Sequence, residues 1–168
     1  MQHQPQAGTY GRPYPVQAAR RQRLVTDLHL LAYRLSGGRI GGTLVGMPML
    51  LLSTWGRKTG KLRSAPLLYL PVDGNLVLVA SNGGAARSPT WFYNLTANPS
   101  ALAQVGPVRG EVHATVATAE ARAHLWPLLL EVYPGYDNYQ ARTDREIPVV
   151  LLHPRDSVLL QHVPPRYR

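Results

Sequence analysis

The sequence predicts an α+β protein built on a closed or half-closed antiparallel β-barrel, and three observations predict it. From residue 48 onward the apolar residues fall in short, strand-like runs, of the length that half-buried strands take. Those runs are joined by glycine-bearing tips, "GRKTGK" at 56–61 and "DGN" at 73–75, which reverse a chain between antiparallel neighbours. The helical stretches are few and inserted among the strands. They do not alternate with them, as a doubly wound parallel sheet would require.

Residues 1–16 are rich in Gln, Pro, Gly and Tyr and read as a loose tail. From about Val16 to Leu35, Leu24, Leu28, Leu31 and Leu35 recur at helical spacing, while Arg20, Arg21, Arg23 and Arg34 cover much of the rest. This basic amphipathic helix either packs on the domain or rests on an anionic membrane surface. "SGGRIGG" at 36–42 ends it. Six main strands are expected at about 48–55, 62–71, 75–81, 101–106, 108–117 and 147–153. Ser88-Pro89 starts a helix, with Ser88 as the cap and Pro89 at the first helical position, and the helix stops before Asn98-Pro99. A second helix runs from about Thr118 to Val132, bent at Pro127. There is no internal repeat, so the chain divides into tail and amphipathic helix at 1–38 and a single domain at 39–168.

A chain of 168 residues suits one sizeable core. Cysteine is absent, which removes disulfides, thiolate nucleophiles and cysteine-ligated metals together and fits a reducing cytoplasm. None of the six histidines stands two to four residues from another, so no local metal pair exists. Charge is unevenly placed. Residues 1–72 hold ten Lys or Arg against the single acid Asp27, a balance of +9, whereas residues 73–168 hold eight of each sign. Such asymmetry points to an anionic partner for the first part. The apolar stretch near residue 30 is broken by charge, and the run from Leu44 to Leu52 is too short to span a bilayer, so neither a secretory signal nor a membrane span is expected.

Three stretches carry possible chemistry. In "LLSTWGRKTGKLRSAPLLYL", residues 51–70, the cations Arg57, Lys58, Lys61 and Arg63 have no acid among them. A P-loop is excluded, because Gly56 and Gly60 enclose only three residues and the segment joins strand to strand. The tip can still hold phosphate through backbone N–H groups, the Thr59 hydroxyl and charge-assisted bonds. The second stretch, "VASNGGAARSPTW", ends a strand at Ser81 and Asn82, continues with Gly83 and Gly84, and leads into a helix start. The third, "VYPGYDNYQARTDR", repeats tyrosine every three residues at Tyr133, Tyr136 and Tyr139, which in a helical or turn-like segment forms one aromatic face. No nucleophile elbow, zinc motif or carboxylate pair is visible, so a cofactor is expected to perform the chemistry.

Taken in order, "GRKTGKLRSAPLLYL", "LVASNGGAARSPTWFYNLTANP" and "YPGYDNYQARTDREIPVVLL" resemble the deazaflavin-dependent nitroreductase family over about residues 40–154. Its members are split β-barrel (FMN-binding-like) oxidoreductases that use coenzyme F420. The resemblance implies that Arg57, Lys58, Thr59 and Arg63 hold the coenzyme's phosphate and glutamate tail, with Lys61 meeting a longer tail. It implies that Ser64, Ala65, Pro66, Leu67 and Leu68 line the cofactor together with Val79, Ala80, Ser81 and Asn82. Thr90, Trp91, Phe92, Tyr93 and Asn94 then cover it. Tyr133, Tyr136, Tyr139 and Ser81 flank the reacting face, where they orient a substrate and donate a hydrogen bond to an oxygen gaining charge; Tyr136 also touches the cofactor. Phe92 stands where the family usually has tyrosine, which removes one hydroxyl. The acceptor implied is a quinone, a nitroaromatic or a similar conjugated molecule, and a membrane-borne quinone would give the basic helix a purpose. The alternative is a non-catalytic carrier of deazaflavin or FMN. FMN carries no glutamate tail for so many cations. Nucleic-acid binding is not expected, since the strands are mostly aliphatic and the cations sit at one tip and one helix.

Overall fold

The structure is a computed structural model that describes residues 32, 33, 35–39, 42–44 and 46–163. Most of the expected amphipathic helix lies outside these residues. Among the described residues there are eight strands: β1 (Thr43–Leu44), β2 (Met47–Trp55), β3 (Leu62–Leu68), β4 (Leu70–Val72), β5 (Asn75–Val79), β6 (Ser100–Val105), β7 (Val108–Val116) and β8 (Val149–Pro154). The helices α1 (Thr90–Ala97), α2 (Ala119–Val132), α3 (Gly135–Gln140) and α4 (Val158–Gln161) accompany them, with a 3₁₀ turn at Asn82–Gly84, and residues 32, 33, 35 and 36 are helical as well.

All the pairings are antiparallel. They run in the order β1-β2-β6-β7-β8-β5-β4, with β3 on the free side of β2. The sheet curls so that its two ends approach each other. β3 comes against β5, yet among the described residues β3 is laddered only to β2, and β5 only to β4 and β8. This is a split barrel, with the split between β3 and the C-terminal end of β5.

Local sequence explains the turns. Asp73 and Gly74 both take positive φ, 49° and 75°, the conformation that lets a two-residue turn follow the twist of its strands. Thr118 caps α2 by accepting from the Ala121 N–H at 3.2 Å. Three expectations need correction. The strand expected at 62–71 is two strands, because at Tyr69 the chain leaves its ladder with β2 (Met49 opposite Leu68) and begins one with β5 (Leu70 opposite Val77). Pro89 is not the first helical residue. Its ψ of 156° is extended, so it flanks the helix as the cap position and supplies no side-chain hydrogen bond. Strand β1 and helix α4 are additions that few residues signal.

Strand alternation sends residues to two faces. Leu50, Leu52, Leu76, Leu78, Ala103, Val112, Val150 and Leu152 fill the barrel interior together with Trp91 and Leu95 of α1. On the outer face Leu125 and Leu129 of α2 cover Met47, Val77 and Val149, and Tyr136 joins them. Truncating a fully buried residue such as Leu129 costs about 2–5 kcal/mol. Tyr33 forms a third cluster with Met49 and Leu51 and is only 1% exposed. Its hydroxyl donates to the Met49 carbonyl and accepts from the Gly106 N–H, each at 3.0 Å. Residues on both sides of position 38 therefore belong to the packed body.

Candidate functional site

The cationic hairpin between β2 and β3 is closed by its own backbone. Gly60 N–H donates to the Gly56 carbonyl at 2.7 Å, and Gly56 N–H to the Lys61 carbonyl at 2.9 Å. Gly60 sits at φ +64°, where a side chain would be strained. Arg57, Lys58, Thr59, Lys61 and Arg63 are all exposed. Among the described residues no carboxylate lies within 4.0 Å of any of these cations. Like charges held together without acids raise the local potential, so the tip attracts polyanions. Thr59 Oγ1 lies 3.4 Å from the Lys61 N–H.

Helix α1 secures the base of this hairpin. Asn94 is 2% exposed. Its Nδ2 donates to Thr54 Oγ1 at 3.0 Å, and its Oδ1 accepts from the Arg57 N–H at 3.1 Å. Both halves of the amide are thus used inside the protein. The Arg57 guanidinium stands 5.2 Å over the Tyr93 ring, a cation–π contact that holds it toward α1. Phe92 packs edge-on to Tyr93 at 5.8 Å. Trp91 turns into the barrel core and is 8% exposed, whereas Thr90 is exposed at the helix start.

The two runs beside the split are divided by the pleat. Ala65 and Leu67 pack on the interior cluster with Phe92, and Ala80 lies within it. Leu68 and Val79 face the outer cluster under α2. The Ser64 and Ser53 hydroxyls meet across the ladder at 2.8 Å, and Pro66 is half-buried. No single face can therefore use every residue from 64 to 68 or from 79 to 82.

Beyond β5 the chain makes a tight loop. Asn82, Gly83 and Gly84 take φ values of 49°, 65° and 80°. A Cβ on Gly84 would lie 2.6 Å from the Tyr139 carbonyl oxygen and 2.9 Å from Arg142 Cβ, so glycine is what allows the loop to touch α3. Asn82 Nδ2 donates to the Arg87 carbonyl at 3.0 Å. Arg145, which the sequence did not single out, clamps this loop: Nε donates to the Ala85 carbonyl at 3.0 Å, and Nη2 to the Ala80 and Ser81 carbonyls at 3.2 and 2.7 Å. The guanidinium's pKa is drawn down by burial, with Tyr93 acting in the opposite direction.

The tyrosines do gather. Tyr133 and Tyr136 stack edge-to-face at 4.9 Å, and Tyr139 completes the group at 6.1 and 6.3 Å from them. The Tyr133 and Tyr139 hydroxyls are hydrogen-bonded at 3.0 Å. Burial foremost, then the neighbouring phenols, push the pKa of Tyr136 well above its ordinary value. That of Tyr139 is raised, first by its bond to Tyr133, then by burial, with Arg142 opposing. These hydroxyls stay protonated at neutral pH and can donate. A separate cavity of about 220 Å³, walled by Tyr33, Arg39, Met49, Tyr69, Gly106 and His162 among others, contains none of these residues.

Among the described residues no group of three His, Asp or Glu is arranged to hold a metal ion, and no helix is long and apolar enough to cross a membrane. The residues missed by sequence are those whose roles depend on distant carbonyls. Arg145 lies 60–65 positions from the groups it binds, and the "TDR" triplet after the tyrosines was its only signal.

Comparison with known proteins shows the family and the fold. The chain is similar to the F420H(2)-dependent quinone reductase Rv1261c of Mycobacterium tuberculosis, 43% identical over 129 residues that cover 74% of this chain and 87% of that one. Among solved structures it resembles an F420-H2 dependent reductase (FDR-A), 39% identical with a TM-score of 0.58, over 63% of this chain and 94% of that chain. It also resembles a domain-swapped dimer, 34% identical with a TM-score of 0.60, over 83% and 99% of the two chains. The family model described as F420H(2)-dependent quinone reductase matches residues 23–154, and the chain belongs to that family.

Proposed function

We propose that the chain binds the deazaflavin coenzyme F420 along the split between β3 and β5 and uses its reduced form to reduce a quinone or a similar conjugated acceptor. The observation that carries this reading is the placement of two unlike surfaces at that split. An uncompensated cationic hairpin stands on the β3 side, and a hydrogen-bonded tyrosine group stands beside the loop that follows β5. The donor set fits the group: four exposed cations suit a phosphate and a carboxylate tail, and positive-φ glycines allow a planar ring to approach backbone.

In this reading Arg57, Lys58, Lys61 and Arg63 hold the tail. Ser64 to Leu68 and Val79 to Asn82 supply the walls of the split, each with the half of its side chains that the pleat turns inward. Phe92 and Tyr93 cover the ring from α1, and Asn94 supports the hairpin. When bound and reduced, the coenzyme supplies a hydride. Tyr133, Tyr136, Tyr139 and Ser81 orient the acceptor, and a tyrosine hydroxyl held protonated by burial donates a hydrogen bond to the acceptor oxygen as charge builds there. Nitroaromatic reduction falls within the same scheme.

Titration of the purified protein with oxidised F420, followed by coenzyme fluorescence with FMN as control, tests the reading. Binding in the micromolar range or tighter, with FMN ignored, followed by quinone-dependent oxidation of the reduced coenzyme, is the expected result. Binding without turnover would identify a carrier instead, and no binding would defeat the proposal.

A second reading concerns location: a cytoplasmic protein held at an anionic membrane face by the basic amphipathic stretch at 16–35. Its test is sedimentation with anionic liposomes. The deletion should stop before Tyr33, which is a core residue. Loss of binding on removing residues 1–31 is expected; binding that survives the deletion sinks the idea.

A further inference from the structure

Arg145 is a cation in a place where cations are costly. Three of its guanidinium bonds end on backbone carbonyls, at Ala80, Ser81 and Ala85. Its Nη1 is buried with no partner, and among the described residues no carboxylate lies within 4.0 Å of it. A partly buried cation with no counter-charge depends on the hydrogen bonds it makes, and here those bonds fix the carbonyls of one loop.

What it does follows from peptide geometry. Among the described residues no peptide bond is cis, and in a trans peptide the N–H points opposite to the C=O. Drawing the carbonyls of Ala80 and Ser81 onto the guanidinium therefore turns the N–H groups of Ser81 and Asn82 away from it. Ser81 is right-handed helical (φ −69°, ψ −41°) and Asn82 left-handed (φ 49°). Successive residues of that alternation make neighbouring N–H groups converge on one concavity that favours a negative or electron-rich oxygen. Among the described residues the N–H groups of Ser81, Asn82 and Gly83 make no backbone hydrogen bond. The loop's carbonyls thus face the clamp, and its donors are held ready on the other side.

We propose that Arg145 is a positioning residue: by holding the Ala80, Ser81 and Ala85 carbonyls it presents the Ser81–Gly83 N–H groups as a preformed donor set for a carbonyl or anionic edge of the ligand bound in the split. This rests on the F420 reading and deepens it. It assigns ring affinity to a residue that never touches the ring and keeps it separate from tail affinity at the hairpin.

The test uses the full-length protein, oxidised F420 and two variants. Arg145→Ala is expected to weaken binding by about tenfold or more, since charge-assisted bonds are lost together. Millimolar guanidinium, far below denaturing levels, is expected to restore part of that loss, while potassium chloride of equal ionic strength restores none. Arg145→Lys keeps the charge but not the planar fork, and is expected to bind as weakly as the alanine variant and to show no guanidinium response. Hydrogen exchange should accelerate at Gly84 and Ala85, whose N–H groups are bonded to the Ser81 and Asn82 carbonyls, in both variants and stay unchanged in β6 and β7. If Arg145→Ala does not fold, the lysine variant carries the same binding and exchange test. Binding within twofold of wild type overturns the proposal, as does weakened binding with exchange raised across the whole sheet. If wild type itself binds no F420, the functional reading fails, while the exchange pattern still decides whether Arg145 shapes the loop.

Discussion

Asn94→Ala is the sharpest perturbation of the hairpin that does not alter a charge. Asn94 and Thr54 are 2% and 1% exposed, and the amide joins Thr54 to the backbone of Arg57. Truncation leaves the Thr54 hydroxyl oxygen without its donor in a buried site, a loss of about 1–3 kcal/mol, and removes the acceptor of the half-buried Arg57 N–H, about 0.5–1.5 kcal/mol more. A total near 2–4 kcal/mol corresponds to a fall in Tm of about 5–15 °C for a domain of this size. Urea unfolding followed by tryptophan fluorescence measures the first quantity. The second consequence is local: the hairpin base is released, and Arg57 is no longer held against Tyr93. Affinity for F420 should fall, while affinity for the deazaflavin nucleoside lacking phosphate and glutamates should change little. A stability loss below about 0.5 kcal/mol, or equal losses of affinity for the tailed and tail-less ligands, would refute the reasoning that Asn94 acts through the hairpin.

Three further outcomes are expected. Lys58→Glu together with Lys61→Glu should weaken F420 binding and flatten its dependence on salt, leaving the tail-less ligand unaffected; isothermal titration at two ionic strengths checks it. Gly84→Ala forces a side chain into positive φ and against the Tyr139 carbonyl 2.6 Å away. Strain and contact together should cost about 2–4 kcal/mol and reduce quinone turnover, and a variant with wild-type Tm and turnover would contradict that account. The folded pKa of Tyr136 lies above its ordinary 10.0, so the folded state keeps its proton where the unfolded state has lost it. Its contribution is complete below about pH 10 and is lost as pH rises toward the folded value. Tyr136→Phe should therefore lose less stability than wild type between pH 9.5 and about pH 11, as read by urea midpoints; parallel curves would argue against it.

Much of the architecture was legible because it is locally encoded. The Asp73-Gly74 turn and the Gly56–Lys61 tip rest on residues that tolerate the required backbone angles, and both hairpins stand where their glycines stand. The tyrosine group was legible for a similar reason. Tyr136 and Tyr139 share a face of α3 by their three-residue spacing, and Tyr133, which ends α2, lays its ring against Gly135 and joins them. The charge of the hairpin was legible as well, since no acid stands within its sequence and, among the described residues, none is brought to it by the fold.

What the sequence by itself determined, then, is the set of short-range features: turn chemistry, strand and helix periodicity, the cationic tip, the aromatic face and, through three motifs in register, the family. Tertiary structure alone decided the rest, because it concerns groups far apart in the chain. The strand expected at 62–71 divides at Tyr69 because the two halves pair with different partners. Asn94, which motif order places on the cofactor, is consumed by Thr54, forty residues away. Trp91 lies in the core because the first turn of α1 points it inward. Arg145 finds its carbonyls across 60–65 residues. Periodicity reports the face on which a side chain stands; only the closed sheet decides what stands opposite it.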